Sequence, residues 1–221
     1  MSEQTPAAPQ AQESLSFSEQ EQIRREKLNG LIAAGNSPYQ ITNYEAGRTA
    51  QDIISGFDAL DGQTVSVAGR MMSRRIMGKA SFAHLRDASG DIQIYVKRDD
   101  VGEEAYDAFK NTDLGDIQGV KGFVFKTRTG EVSIHAQEVV LLSKCLKPLP
   151  DKWHGLQDMD LRYRQRYLDM IVSPQVRDTF VKRSRIITAI RSFMDTRGCL
   201  EVDTPILHTV EIGAAARPFQ T

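Results

Sequence analysis

The sequence contains few of the residues that mark specialised classes of protein. Its 221 residues include two cysteines, Cys145 and Cys199, so we expect two free thiols rather than a disulfide scaffold or a cysteine-rich zinc site. No apolar run approaches the roughly 18 residues of a membrane-spanning helix. The formal net charge of −1 excludes a globally basic nucleic-acid binder, but not a local basic patch. The first residues lack the apolar core of a signal peptide, and the predicted compartment is the cytoplasm.

Common catalytic and metal-binding motifs are also absent from the sequence. There is no GxSxG nucleophile elbow, no GxxxxGK phosphate loop and no dinucleotide-binding fingerprint. The four histidines have no second ligand at metal-site spacing: His84, His135, His154 and His208. The residues therefore predict neither a catalytic group nor a metal site in this chain.

Composition shifts along the chain divide it into five segments. Residues 1–17 are rich in Ala, Pro, Gln, Glu and Ser and predict a disordered leader. Residues 18–60 predict an N-terminal helical extension, and 61–146 predict a domain built mostly of strands. Residues 147–172 contain prolines and many charges and predict a hinge or linker. Residues 173–221 predict the truncated start of a second domain.

The segment 61–146 alternates apolar and polar residues, as half-buried strands do. The predicted order is three strands, a helix over 102–112, and two more strands, with a hairpin turn at 88–90 between the second and third strands. This is the order of an OB-fold, a five-stranded barrel whose face and loops bind oligonucleotides. A small strand-and-helix barrel of another kind fits the same order.

The last segment combines a long helix with a strand. Residues 173–198 carry an apolar stripe at helical spacing, and residues 199–207 predict a strand running into Pro205. About fifty residues are too few to hold a stable core alone. We therefore interpret this segment as the opening part of a larger α+β domain.

A basic cluster lies where the first predicted strand turns into the second. Arg74, Arg75 and Lys79 precede Phe82, and Gln93 lies at the centre of the next strand. In a single-stranded RNA site, cations meet phosphates, a ring stacks on a base for about 1–3 kcal/mol, and an amide pairs with a base edge. The alternative is that Phe82 belongs to the core and the arginines are solvated, and spacing alone leaves both open.

A second cluster alternates arginine with tyrosine within residues 162–167. Basic and aromatic side chains in alternation could follow an RNA backbone. They could equally form a network of ion pairs and stacked rings with Asp169. We favour the second, structural interpretation.

Six stretches between Gln20 and Thr221 are distinctive: AGRMMSRRIMGKASFAHLRD, IQIYVKRDD, DLGDI with GVKGFVFKTRTGEVSIHA, KPLPDKWHGLQDMDLRYRQRYLD, FVKRSRIITAIRSFMDTRGCLEVDTPIL and GAAARPFQT. Through them the chain closely resembles the N-terminal portion of class II lysyl-tRNA synthetases (lysine–tRNA ligases) of bacterial type. The related aspartyl and asparaginyl synthetases share the architecture, but not RRIMGKASF or PLPDKWHGLQD.

The resemblance implies an architecture and an activity. The architecture is an N-terminal helix, an OB-fold anticodon-binding domain, a hinge and a class II catalytic domain with an antiparallel sheet. The activity is the reaction of lysine with ATP and Mg²⁺ to lysyl-adenylate, followed by transfer to lysine tRNA by a homodimer. Matching positions imply that Phe82 stacks on an anticodon uridine, that Gln93 pairs with that base, and that Arg74 and Glu131 make further anticodon contacts. Arg75 and Lys79 remain further RNA-contact candidates.

The C-terminal segment resembles parts of the family that support catalysis without performing it. The helix and strand ending in Pro205 resemble class II motif 1, which builds the dimer interface. Gly213 lies in a stretch resembling the loop beside the lysine pocket, although Ile212 stands where the family usually has glycine. Motifs 2 and 3, which hold ATP and magnesium, do not appear in the sequence, so we expect this chain alone to be inactive. The alternative is a stand-alone OB-fold RNA-binding module derived from a synthetase.

Overall fold

The computed structural model describes residues 17–150 and 156–206. The chain divides into two compact units, with the boundary between Leu149 and Pro150. The first unit holds helices and a β-barrel, and the described part of the second unit holds three helices. Within the described residues, no helix is both long enough and apolar enough to cross a membrane.

The first unit begins with the predicted helical extension. Its elements are α1 (Phe17–Ala33), a 3₁₀ turn (Pro38–Gln40), α2 (Ala50–Ser55) and α3 (Phe57–Leu60). α2 starts with a capping box, in which Thr49 and Asp52 each accept a backbone N–H of the other. Arg24 attaches α1 to the barrel by donating to the carbonyls of Leu114 (3.1 Å) and Cys145 (2.8 Å).

The predicted OB-fold barrel is confirmed. Its strands are β1 (Thr64–Met77), β2 (Ala80–Arg86), β3 (Asp91–Lys97), β4 (Ile117–Lys126) and β5 (Val132–Ser143), with α4 (Arg98–Val101) and α5 (Glu103–Asn111) between β3 and β4. The barrel closes in the order β1-β2-β3-β5-β4, and β3 pairs with β5 in parallel while the other pairs are antiparallel. The hairpin predicted between the second and third strands is β2–β3.

The barrel interior is filled by alternate residues of every strand, as a period of two requires. Helix α5 adds two large buried side chains, Tyr106 and Phe109, to the same core. The Tyr106 hydroxyl lies 2.9 Å from both the Gly78 carbonyl and the Ser81 hydroxyl, so its polar end is satisfied. The packed helix holds one end of β1 and β2 in place.

A buried charge network joins the barrel to the chain after β5. Lys144 is almost fully buried and donates to Asp116 (2.8 Å) and to Asp113, and Asp113 also accepts from Lys27 (2.7 Å). Asp116 accepts two backbone N–H groups as well, from Asp113 (2.8 Å) and Cys145 (2.7 Å). Burial alone would raise the pKa of Asp113, but the hydrogen bonds from both lysines outweigh it and lower that pKa. The Asp113 carboxylate is therefore held in the charged form.

Gly119 allows the segment before α2 to pack against the barrel. A Cβ at this position would lie 2.5 Å from Cζ of Tyr44, whose hydroxyl lies 3.2 Å from that of Ser66. Burial raises the pKa of Tyr44, consistent with a ring held against the strand. Any side chain at Gly119 must displace the ring.

Gly119→Ala should therefore destabilise the protein by about 1–3 kcal/mol, the usual cost of overpacking. The measurement is urea unfolding followed by circular dichroism. Gly47→Ala is the matched control, since a Cβ there meets nothing within 4 Å. Equal stability of the two variants would contradict the close packing of Tyr44.

The second unit supports the structural interpretation of the arginine–tyrosine run. Its helices are α6 (Met159–Arg164), α7 (Arg166–Val172) and α8 (Pro174–Thr196). Buried Asp169 accepts from Arg162 (3.1 Å) and Arg166 (2.7 Å). The Arg166 guanidinium also lies over the rings of Tyr163 and Phe180, at 5.0 and 5.2 Å. These contacts join the three helices of this unit.

The strand predicted over residues 199–207 is wrong for 199–206, the part that the structure describes. A strand needs a partner for its backbone hydrogen bonds, and none of the described residues pairs with this stretch. Leu200 and Ile206 are accordingly 86% and 97% exposed, and Pro205 is exposed too. The long helix is confirmed as α8, and both cysteines are free thiols.

Several sequence predictions fall outside the described residues. These are the leader up to residue 16, His154, His208, Ile212 and Gly213.

Candidate nucleic-acid interface

An open groove lies on the outer face of the barrel, between β1–β3 and the turn that joins β4 to β5. We call it the barrel groove. Its volume is about 490 Å³, and it is lined by Ser73, Arg74, Arg75, Met77, Phe82, His84, Gln93, Thr127, Arg128 and Thr129. Four of the six sequence-predicted RNA contacts are therefore in one place. Glu131 is not a lining residue, but it accepts a hydrogen bond from Gln93, which is. Lys79 does not line the groove.

A β-bulge in β1 decides which arginine faces outward. The pairing of β1 with β2 shifts between Met71 and Ser73, so Met71 and Met72 are both buried. Beyond the bulge, Arg75 pairs with Phe82 on the outer face, and Arg74 pairs with buried Ala83. Simple alternation along the sequence does not reveal this shift.

Arg74 is held by the end of α5. Its Nη1 donates to the carbonyls of Phe109 (3.0 Å) and Thr112 (2.6 Å) and to the Thr112 hydroxyl (3.0 Å). Burial lowers the pKa of this guanidinium, and the carboxylates of Asp113 and Asp116 oppose that shift. Arg74 thus fixes α5 against β1 and also forms part of the groove wall.

Phe82 is half-buried on the outward side of β2, so it is not a core residue. Its ring packs on that of Tyr95, its cross-strand partner, with centroids 4.9 Å apart. The partner ring supports Phe82 from one side and leaves it lining the groove. A ring held in this way can stack on a base with little loss of side-chain entropy.

A chain of hydrogen bonds runs across the groove floor through five side chains. The Ser73 hydroxyl lies 2.9 Å from His84 Nδ1, and His84 Nε2 lies 3.0 Å from Glu131 Oε1. Gln93 Nε2 donates to Glu131 Oε2 (2.7 Å), and the Ser133 hydroxyl donates to Gln93 Oε1 (2.8 Å). The sequence does not reveal the parts of His84 and the two serines, because Ser73 meets His84 only across the β1–β2 pair and Ser133 meets Gln93 only through the parallel pairing of β3 with β5.

These partners fix the orientation of the Gln93 amide. A carboxylate can only accept, so Nε2 must face Glu131, and Oε1 then faces Ser133. One N–H and one lone pair of the amide remain for a ligand. The edge of a uracil offers the complement, a carbonyl oxygen beside an N–H.

An aromatic stripe continues from Phe82 across the outer face of the barrel. The ring centroids of Tyr95 and His135 are 5.0 Å apart, and the centroid of His135 lies 4.6 Å from that of Phe123 and 5.8 Å from that of Phe125. The sequence signal is the spacing of Phe123 and Phe125 around buried Val124. The sequence alone does not bring these rings together, since the strand order that assembles them is not visible in it.

The groove is cationic and has no metal-binding character. Arg128 adds an exposed charge from the β4–β5 turn to those of Arg74 and Arg75. Among the residues that the structure describes, no group of three or more His, Cys, Asp or Glu side chains could hold a metal ion. The described part of the chain therefore does not fit a magnesium site.

Two protein families match the chain, in the order in which the two units occur. Residues 65–142 match the OB-fold nucleic acid binding domain of the anticodon-binding type, which covers the barrel and the groove. Residues 158–221 match the tRNA synthetases of class II (D, K and N).

The curated relatives are similar over almost the whole of this chain. The lysine–tRNA ligase of Thermoanaerobacter sp. (strain X514) is 56% identical over 199 residues, which are 90% of this chain and 40% of that protein. The lysine–tRNA ligases of Clostridium perfringens (strain SM101 / Type A) and Syntrophomonas wolfei are 54% and 51% identical over 93% and 94% of this chain. The chain spans about two-fifths of the length of these relatives.

Proposed function

This chain is homologous to the lysine–tRNA ligases of class II, and from that premise we propose that its barrel binds the anticodon of lysine tRNA. The observation that carries the proposal is the barrel groove, where Phe82, Gln93 and Arg75 lie together. The ring would stack on the central anticodon uridine, and the fixed amide would pair with its edge. Arg75 and Arg128 would meet the phosphates on either side.

The stacking role of Phe82 makes a quantitative prediction. Phe82→Leu keeps an apolar side chain against Tyr95 but removes the flat surface for the base. Because base stacking contributes about 1–3 kcal/mol, affinity for the lysine anticodon stem-loop should fall by about five- to 150-fold. The measurement is a fluorescence titration at one fixed salt concentration, since phosphate contacts make binding salt-dependent.

Phe57→Leu is the matched control for this prediction. Phe57 lies in α3, packs against the core and does not line the groove. Unchanged affinity of Phe82→Leu for the stem-loop would contradict the proposal. Equal weakening in both variants would point to general destabilisation instead.

The contact between Glu131 and Gln93 leads to a different prediction, that its loss lowers the preference for a central uridine over a central cytidine. Glu131→Gln can donate or accept, so it no longer fixes the orientation of the Gln93 amide. The variant should therefore bind stem-loops with a central uridine or a central cytidine more equally, while the protein itself prefers uridine by about tenfold or more. Discrimination that survives in Glu131→Gln would show that the amide is oriented by other groups.

The activity of the whole protein is a further proposal, supported by the lysine–tRNA ligase relatives. In the cytoplasm, lysine and ATP would react with Mg²⁺ present to give lysyl-adenylate and pyrophosphate, and the lysyl group would then pass to a hydroxyl of the tRNA with release of AMP. We propose that the 221 residues on their own bind RNA without activating lysine, because motifs 2 and 3 do not appear among them. Lysine-dependent ATP–pyrophosphate exchange by this polypeptide would overturn that part of the proposal.

The second unit would contribute structure rather than chemistry to such an enzyme. Pro205 would end the motif 1 segment, and Gly213 would lie beside the lysine pocket. The exposed apolar face of α8, which includes Ile190 and Phe193, would form the homodimer contact. Sedimentation of the chain tests the dimer, and a monomer at micromolar concentration would count against it.

A further inference from the structure

Among the residues that line the barrel groove, His84 is the one that can change its charge near neutral pH. The arginines of the groove stay charged across that range. The His84 side chain is 38% exposed, and its residue pairs with Gln93 across the two central strands of the groove. The anticodon contacts proposed above do not use this imidazole, although it is open to a ligand bound there.

The hydrogen bonds of His84 have fixed directions when the ring is neutral. The Glu131 carboxylate can only accept, so His84 Nε2 carries the hydrogen and donates to Oε1 over 3.0 Å. Nδ1 is then bare and accepts from the Ser73 hydroxyl over 2.9 Å. Glu131 Oε2 accepts from Gln93. His84 and Gln93 thus hold the two oxygens of one carboxylate.

The orientation of the Gln93 amide depends on His84 through this carboxylate. The Glu131 side chain is 46% exposed, so packing alone does not fix its torsion angles. The hydrogen bond from His84 restrains Oε1 and thereby keeps Oε2 against the Gln93 amide. A supporting hydrogen bond of this kind holds a binding group in its productive geometry.

Protonation of His84 would change the groove in three ways. Nδ1 gains a hydrogen and donates to the Ser73 oxygen, so the Ser73 hydroxyl becomes free to donate to a ligand. The contact with Glu131 becomes a charge-assisted hydrogen bond, which is shorter and stronger. The groove also gains one positive charge. All three changes favour a ligand that carries phosphates.

The charges around His84 are of both signs. Glu131 attracts a proton on the ring, and the arginines that share the groove repel it: Arg74, Arg75 and Arg128. On the same strand, Arg86 is paired with Asp91 of the neighbouring strand. A phosphate bound in the groove adds negative charge, so RNA and the proton favour each other's binding.

We propose that His84 is a positioning residue of the barrel groove, which holds the Glu131 carboxylate against Gln93 and whose protonation tightens the groove on RNA. The inference rests on the proposed anticodon function and deepens it. Affinity for the lysine anticodon stem-loop should rise by about threefold to tenfold between about pH 8 and pH 5.5, because one charge is added close to the phosphates.

Two substitutions separate the titration of His84 from its hydrogen bond. His84→Gln keeps an N–H that can donate to Glu131 but has no titrating ring. It should retain the preference for a central uridine over a central cytidine, and lose the gain in affinity at low pH. His84→Leu has no donor, so its uridine preference at about pH 8 should fall by about threefold or more. The measurement is a fluorescence titration with both stem-loops at each pH, at one fixed salt concentration.

His135→Gln is the matched control. His135 is paired with Asp100 at 2.6 Å and does not line the groove, so this variant should keep the pH dependence of the unaltered chain. An unchanged pH profile in His84→Gln, or full uridine preference in His84→Leu, would overturn the inference and leave the anticodon proposal standing. If the unaltered chain bound no stem-loop at any pH, both would fail.

A measurement without RNA tests the link between His84 and Gln93 directly. In NMR spectra of the free chain, the side-chain amide signals of Gln93 should shift as the His84 ring is protonated, because Glu131 joins the two. In His84→Gln the same signals should stay in place over that pH range. Gln93 signals that do not follow the His84 ring in the unaltered chain would overturn the positioning role.

Discussion

Replacing Asp116 with alanine should lower the free energy of unfolding by about 3–5 kcal/mol, because it breaks a fully buried ion pair and leaves buried Lys144 paired with Asp113 alone. Asp116 is fully buried and accepts from Lys144 and from the backbone N–H groups of Asp113 and Cys145. The substitution removes three acceptor contacts at once. Chemical denaturation of the variant, compared with the unaltered chain, measures the loss.

An exposed pair in the same unit is the control for this experiment. Asp107 and Lys110 form an ion pair of 2.6 Å on α5, with both side chains substantially exposed. Asp107→Ala should change the unfolding free energy by less than about 1 kcal/mol, as is usual for surface pairs. A similar small loss for Asp116→Ala would show that the buried network contributes little.

Gly122→Ala should lower the free energy of unfolding nearly as much as Asp116→Ala, for a steric reason. A Cβ at Gly122 would lie 2.0 Å from the carbonyl oxygen of His135 and 2.8 Å from its carbonyl carbon. These are backbone atoms of β5, so no side-chain rotation relieves the overlap, and the paired strands must separate. We expect a loss of about 3 kcal/mol or more, which corresponds to a fall of about 6–12 °C in melting temperature.

The separation of β4 from β5 in Gly122→Ala should also disturb the rings that line the barrel groove. The ring of His135 contacts that of Tyr95, and Tyr95 supports Phe82. Stem-loop binding by Gly122→Ala should therefore weaken even at temperatures where the variant is folded. Gly90→Ala is the control, because a Cβ there meets nothing within 4 Å. Normal melting of Gly122→Ala would be incompatible with the described β4–β5 contact.

The barrel was predictable because its strands alternate so regularly. Ile92, Ile94 and Val96 of β3 are all buried, and the residues between them face outward. Strand order could be inferred only by analogy with known barrels, since alternation does not specify partners. The strand predicted over 199–207 does not form in the described part, 199–206, for the same reason, because an extended stretch becomes a strand only where a second strand can pair with it.

The barrel groove was predictable in part. The sequence places Phe82 and Gln93 on neighbouring strands, as the structure has them, but its spacing alone leaves open whether Phe82 faces outward. The different placements of Arg74 and Arg75 depend on the bulge at Met72, which is a property of pairing rather than of local sequence. The link from Gln93 to Ser133 joins residues forty positions apart, so it appears only in the assembled fold.

The long-range pairings of the first unit set an order for its assembly during synthesis. β1 is made early, yet the barrel cannot close until Val132–Ser143 has left the ribosome and paired with β3 and β4. α1 is made before any strand, but the carbonyl of Cys145 that Arg24 needs emerges later still. α1 is thus made early but is among the last of the described elements to dock. Until then its polar surface must keep it in solution, and α1 is indeed rich in Glu, Gln, Arg and Lys.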